Sequence, residues 1–220
     1  MIFNWWKDNR RDLPWRKTHD PYKIVVSEVM LQQTQVSRVL PKYKEFLAHF
    51  PTLKSLANAS PAAVLRVWKG MGYNRRALYL RELAKSGKFT KIESELVNLP
   101  GLGTYTARAV LVFAYKQDIA LVDTNIRQII THFFFNDKPQ KVSVVQNVAD
   151  QLLPRGKSWE WHQALMDYGG LRRFAPQGKP RKQLVPFLQS NRYFRGRIID
   201  RLRDKQLREK TLLSGLNKPR

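Results

Sequence analysis

The sequence predicts an all-α protein, and three observations carry that reading. Apolar residues recur at helical spacing in one short segment after another. Proline and glycine punctuate those segments where helices start and stop, and alternating strand patterns are scarce. Asp20-Pro21 opens a segment with Ile24, Val25, Val29, Leu31 and Val36 near helical spacing, and Pro41 lies early in a second helix carrying Tyr43, Phe46 and Leu47. Ser60 is placed to cap a helix with Pro61 at its first position, ahead of Val64, Leu65, Val67 and Trp68. The turn Gly70-Met71-Gly72 ends that helix, and Arg75 to Ser86 forms the next, closed by Gly87. Further on, Ile126 to Phe135 reads as an apolar helix followed by a polar turn at Asn136 to Gln140. Val142 to Leu153 and Trp159 to Tyr168 are amphipathic helices. The tail from Gly178 carries basic clusters, Pro180 and Pro186, then an apolar stripe of Phe194, Ile198, Leu202 and Leu207 interleaved with arginines. That stripe reads as an amphipathic helix packed on the body with a solvated charged face, and the same face also suits phosphates.

The 220 residues fit one large domain or two modest lobes. With 43% hydrophobic and 11% aromatic residues the chain can build a core, which excludes intrinsic disorder. The formal net charge of +23 is the informative number. So cationic a surface repels itself unless an anionic polymer neutralises it, so the expected partner is nucleic acid. There is no cysteine, which excludes disulfides, thiolate zinc sites, iron–sulfur clusters and a cysteine nucleophile. The opening MIFNWWKDNRRDLPWRK lacks the apolar core of a secretory signal, and no apolar run approaches membrane-spanning length. A soluble, intracellular monomer is expected, cytoplasmic and nucleoid-associated in a prokaryote, with no membrane partner.

The strongest local motif is LPGLGTYTA, residues 99–107, followed by the apolar Ala109 to Phe113. Gly101 and Gly103 around Leu102 make a tight turn that aims backbone N–H groups outward at the start of the next helix, beginning at Thr104. Such an N-terminus binds an anion, because unsatisfied donors and the helix dipole point the same way. Leu102 would plug the turn into the core. An ordinary helix–turn–helix corner explains a lone Gly-x-Gly equally well; the basic chain favours a DNA phosphate.

LPGLGTYTARAV followed by LVDTNIRQII resembles the helix–hairpin–helix and catalytic-aspartate segment of the endonuclease III and MutY superfamily of DNA glycosylases. RRDLPWRKTHDPYKIVVSEVMLQQTQV is similar to the opening motif of its adenine glycosylase (MutY) branch. FPTLKSLANAS, VWKGMGYNRRALYLREL and WHQALMDYGG follow in the family's order, and the resemblance spans roughly residues 3–191. It implies a two-lobed helix–hairpin–helix fold, with a helical domain over 20–132 and a second lobe made of 1–19 plus 133–220. The active site would lie in the cleft between lobes, with double-stranded DNA containing a mismatched or damaged base pair as the partner.

Breaking an N-glycosidic bond takes the sugar through an oxocarbenium-like state while the base leaves as a poor anion, so a site needs an acid for the base and a negative charge for the sugar. Asp123 stands twenty residues beyond Gly103, just before a helix. In isolation it reads as an N-cap; the resemblance makes it the catalytic aspartate. Glu28 lies among mostly apolar neighbours that raise a carboxyl pKa. An exposed helical Glu is the plainer local reading, and the resemblance implies that Glu28 protonates the purine at N7. Tyr105 stands where the bifunctional branch carries a lysine nucleophile, so no Schiff base can form there and a monofunctional enzyme is implied. Asn125 would orient Asp123 and a sugar or phosphate oxygen, or merely cap the helix start. Gln32, Gln33 and Tyr73 match positions that wedge into the duplex or contact the opposing base, although a Gln pair on an exposed face and a Tyr closing a turn account for them locally. Arg16 would approach the pocket carboxylates, or pair with Asp12 on the surface.

The sequence departs from the family in three ways. Most relatives carry four cysteines for an iron–sulfur cluster after the segment matching 166–170; here Arg173, Lys182, Val185 and Asn191 stand near the ligand positions, so no cofactor is expected. Packing by Phe174, Leu184, Val185 and Phe187 would hold that loop, with Arg172 and Arg173 among the residues keeping its surface basic for DNA. The chain ends at Arg220, leaving no room for a C-terminal 8-oxoguanine-recognition domain. Position 74 is Asn where the adenine branch usually has Tyr. The expected function is therefore a monofunctional glycosylase acting on adenine opposite 8-oxoguanine or guanine. A thymine or uracil glycosylase for G mismatches is the second reading. A helix–hairpin–helix module that binds DNA without chemistry is the third.

Overall fold

The computed structural model describes residues 1–87, 89–172 and 186–204. The expected helices form, and their ends show why. After α1 (Ile2–Asn9), α2 (Pro21–Leu31) starts on Asp20, whose carboxylate accepts the Tyr22 N–H at 2.9 Å, with Pro21 at the first position. Pro41 falls inside α3 (Val36–His49). Thr52 and Ser55 cap α4 (Leu53–Asn58) reciprocally, and the Ser60 hydroxyl accepts the Ala63 N–H to open α5 (Pro61–Val67). Gly87, at φ 65°, closes α6 (Arg75–Ser86). Then come α7 (Glu93–Leu96), α8 (Thr104–Phe113), and α9 (Thr124–Phe135), which ends on Asn136 at φ 48°. The chain continues through α10 (Val142–Leu152), α11 (Ser158–Leu171) and α12 (Asn191–Asp204). Among the described residues there is no strand, and no helix is long and apolar enough to cross a membrane. Arg173, the packing residues Phe174, Leu184 and Val185, and Leu207 lie outside the described residues.

The chain divides into two compact units. The first comprises Met1–Val36 and Lys88–Gly178. Its core joins Ile24 of α2, Val112 of α8, Ile126 and Ile130 of α9, Val145 of α10 and Leu165 of α11. The unit follows this packing rather than dividing at 20 and 132: α2 lies on α8, α11 on α9, and α1 on α11. α2 is buried along almost its whole length, Tyr22 and Ile24 to Met30 all being inside. A helix that is apolar nearly all round goes inside, and Glu28 goes with it.

The second unit comprises Ser37–Gly87 and Lys179–Arg220. Phe46 and Trp68 meet edge-on with ring centroids 5.8 Å apart, and Leu56 of α4 and Leu80 and Leu83 of α6 are buried. α6 packs on α4 and α5, and α12 lies against α5. Of the tail's apolar stripe, Phe194 and Ile198 are half-buried, Leu202 is exposed, and Leu207 lies outside the described residues.

Candidate active site

The first unit contains a cavity of about 470 Å³, and its walls come from the N-terminal stretch, α2, α8, the segment ahead of α9, and α11. That size suits a small ligand or a single extruded base. Glu28, Tyr105, Asp123 and Asn125 all line it. Four residues separated by up to 97 positions in sequence thus share one pocket.

Glu28 is 8% exposed. Burial raises its pKa from 4.5 to about 7; the Tyr105 hydroxyl, which donates to it, pulls the other way, and the negative charge of Asp123 adds to the rise. The carboxyl is thus poised to hold a proton near neutrality and to give it up. Tyr105 is driven well above its ordinary value by burial and by the carboxyls of Glu28 and Asp123. It remains a neutral phenol, able to donate a hydrogen bond and unable to act as an amine.

The N-cap reading of Asp123 holds, and the residue also stands in the cavity wall. It caps α9, Oδ1 accepting the Ile126 N–H at 2.7 Å, while Oδ2 accepts from Asn125 Nδ2 at 3.0 Å and the residue faces the cavity. Burial raises its pKa, and the Ile126 and Asn125 donors and the Arg11 charge oppose the rise. Asn125 thus holds the aspartate through its side-chain amide.

Arg16 lines the cavity but does not pair with Asp12, which bonds Lys17 instead. Its guanidinium grips Asp167 in a two-pronged pair at 2.7 and 2.8 Å, and its side chain is only 7% exposed. Asp167 is wholly buried and also receives the Trp6 indole N–H, the Arg11 backbone N–H and the Arg11 guanidinium. Sequence reasoning missed this carboxylate because its partners lie about 150 positions away, with no local pattern to betray them. It missed His162 too. That buried imidazole accepts the Leu121 N–H at Nε2 and donates from Nδ1 to the Ser158 carbonyl, fixing the segment that delivers Asp123. Burial holds its pKa down at about 4, with the Ser158 bond opposing. A histidine between Trp161 and the apolar Ala164, Leu165 and Met166 of α11 was the available signal.

The hairpin ahead of α8 has the expected form. Leu102 is buried as the plug, its N–H bonding the Leu99 carbonyl. Gly101 sits at φ 79°, where a side chain would be strained, whereas Gly103, at φ −96°, stands at the N-cap with open space around it. α8 begins at Thr104 with no capping side chain, so its first N–H groups face outward. Gln32 and Gln33, at the end of α2, both line the cavity, and Gln33 takes a left-handed conformation at φ 55°. Tyr73 belongs to the second unit. It is exposed, at φ 45°, with the Arg76 guanidinium 5.1 Å from its ring. Arg172 ends α11 with its guanidinium over Tyr168, and Arg173 lies outside the described residues. A chain without cysteine offers no ligand set for a thiolate-held iron–sulfur cluster; the residues do not fit that group.

Comparison with known proteins matches this arrangement to a family. The model of the HhH-GPD superfamily base excision DNA repair protein matches residues 26–155. An adenine DNA glycosylase of Mycolicibacterium smegmatis is 34% identical over 232 aligned positions, covering 92% of this chain and 79% of the relative. A thymine/uracil-DNA glycosylase of Methanothermobacter thermautotrophicus is 29% identical, covering 77% of this chain and 81% of the relative. Among solved structures, a thermostable thymine-DNA glycosylase is similar with a TM-score of 0.69 and 28% identity, over 77% of this chain and 83% of that one.

Proposed function

The chain belongs to the HhH-GPD superfamily of base excision DNA repair proteins, and from that premise we propose that it is a monofunctional glycosylase. Its substrate is adenine flipped out of double-stranded DNA opposite 8-oxoguanine or guanine. The observation that carries this reading is the buried Glu28 carboxyl, titrating at about 7 in the same cavity as Asp123 and Tyr105. Adenine leaves readily only once protonated, and a carboxylic acid still protonated near neutral pH is the group that chemistry asks for.

In this mechanism Glu28 passes its proton to the purine at N7, and the C1′–N9 bond breaks with its electron pair going to the base. The Asp123 carboxylate stands against the positive charge left on the sugar, held in place by Asn125 and the Ile126 amide. Water adds at C1′ and gives its proton to the Glu28 carboxylate, which restores the acid and leaves an abasic site. Among the described residues no lysine lines the cavity, so in this mechanism the sugar is not captured as an imine. The hairpin amides at Gly103 and Thr104, with Gln32, Gln33, Tyr73 and the arginines of the surface, hold the duplex by its phosphates and fill the space the base vacates.

Asn74 and the thymine/uracil relative favour a second substrate, thymine or uracil opposite guanine. Single-turnover excision over a panel of mispairs, with the parent and Asp123→Asn, tests both. We expect adenine release from A opposite 8-oxoguanine or guanine, nearly abolished in the variant with duplex affinity retained. Release of thymine or uracil alone would transfer the enzyme to the second reading, and equal rates for parent and variant would remove Asp123 from the mechanism.

A further inference from the structure

No helix or strand runs between Phe113 and Thr124, so the residues leading into Asp123 are not held by a ladder of their own. One peptide unit there is held instead by side chains at both ends. The Ala120 carbonyl accepts from Arg108 Nη1 of α8 at 3.1 Å and from Gln146 Nε2 of α10 at 2.9 Å, and the Leu121 N–H donates to His162 Nε2 of α11 at 3.0 Å. These side chains stand 12, 26 and 41 positions away in sequence. Both lone pairs of the carbonyl and the amide hydrogen are thereby satisfied without any backbone partner.

The holding groups are fixed in turn. Arg108 Nε pairs with Glu93 at 2.8 Å, Gln146 Nε2 also donates to Asp150 at 3.0 Å, and His162 Nδ1 donates to the Ser158 carbonyl at 2.6 Å. His162 is wholly buried, with the rings of Phe113 and Trp161 set edge-on to it. Burying an imidazole there is less favourable than burying an apolar side chain; what it supplies that a leucine would not is an acceptor for the Leu121 N–H. A planar peptide fixed at both ends leaves only the dihedrals of two residues between it and Asp123. Both are packed, Leu121 inside the core and Val122 against it.

We propose that His162 is a positioning residue for the excision step. With Arg108 and Gln146 it clamps the Ala120–Leu121 peptide and so sets where the Asp123 carboxylate stands against the sugar. The proposal rests on the reading of Asp123 as the catalytic carboxylate and adds to it the side chains that aim it.

The test combines single-turnover excision, duplex affinity and amide hydrogen exchange on the full chain. His162→Leu keeps the apolar packing and leaves the Leu121 N–H unpaired, whereas His162→Gln carries an amide oxygen at the reach of Nε2 and restores the acceptor. We expect His162→Leu to release the base at least about tenfold more slowly than the parent with duplex affinity unchanged. Its Leu121 amide should exchange faster, while that of Ile130 in the same core does not. His162→Gln should return the rate to within about threefold of the parent. Gln146→Leu, at a half-buried position, removes one of the two donors to Ala120 and should slow excision about threefold. Val145→Ala, a core change outside the clamp, should lower stability and leave the rate alone. A parental rate in His162→Leu, a glutamine variant as slow as the leucine one, or an equal loss in Val145→Ala overturns the proposal. Should His162→Leu fail to fold, a parental rate in Gln146→Leu overturns it instead. A parent that releases no base overturns the glycosylase reading itself, an outcome distinct from an active parent whose rate His162 does not govern.

Discussion

Gly169 of α11 lies against Asn125 with no room for a side chain: a Cβ placed on it would stand 2.6 Å from the Asn125 Cβ and 3.2 Å from its Cα. Because the obstacle includes backbone, no rotation of Asn125 relieves it. The close approach sets where Asn125 sits, and Asn125 in turn donates to Asp123. Gly169→Ala should therefore lower the excision rate by about ten- to a hundredfold through misplacement alone and cost roughly 1–3 kcal/mol of stability through overpacking. Single-turnover rates and urea unfolding read the two effects. Gly170→Ala, where the nearest atom is the flexible end of Arg11 at 3.8 Å, should cost much less stability.

Glu28 links activity and stability through pH. In the proposed mechanism its carboxyl works protonated, and it titrates at about 7, so excision should be level below that pH and fall as pH rises through it. Since the folded value lies above the unfolded one, the folded state holds a proton that the unfolded chain has lost between those values. The native state therefore loses stability as pH climbs from about 4.5 to about 7. Glu28→Gln mimics the protonated acid. It should lose adenine excision at every pH, and its melting temperature relative to the parent should rise between pH 5 and pH 8. A constant difference across that range would contradict the buried-acid assignment.

Tyr105 decides the reaction type. With a neutral phenol donating to Glu28, product strands should break only after added alkali or heat. Tyr105→Lys places an amine in the same desolvated position, where burial depresses its pKa toward the nucleophilic form. The variant should gain strand cleavage and a borohydride-trappable adduct with DNA. A trapped adduct in the parent would sink the monofunctional reading.

Asp167 should matter for folding more than for chemistry. Burial raises its pKa, but the Arg16 and Arg11 guanidiniums and the Trp6 N–H outweigh that and hold it below the ordinary value. Asp167→Asn leaves a buried arginine without its counter-charge and should cost about 3–5 kcal/mol. Because the folded pKa is depressed, the parent's advantage is complete at neutral pH and fades as pH falls below the usual aspartate range. Urea unfolding at pH 7 and pH 3 should show the gap narrowing; an unchanged gap would remove the ion pair as its cause.

What could be read in the sequence was what local chemistry writes there. Asp20, Ser60 and Gly87 mark helix ends through bonds made within four residues, and Glu28 and Asp123 stand in long motifs. The contacts that organise the pocket are not local. Arg16 could be read against Asp12 or against the pocket carboxylates, and only the fold shows that its partner is Asp167, 151 positions on and outside the cavity lining. His162 and Gly169 act across about forty positions, on Leu121 and Asn125. A glycine that admits a neighbour's backbone looks in sequence like any other glycine in a helix.

The tie between the first sixteen residues and Asp167 also governs when the protein becomes an enzyme during synthesis. α2, with Glu28 inside it, leaves the ribosome before the helices that bury it, and α8 above all follows some eighty residues later. The counter-charge for Arg11 and Arg16 follows later still. Until α11 emerges, the nascent chain exposes a nearly all-apolar helix with no finished partner surface, the condition under which growing chains recruit chaperones or associate wrongly. A product stopped between Asp123 and Gly170 therefore carries both Glu28 and Asp123 and no finished pocket to put them in.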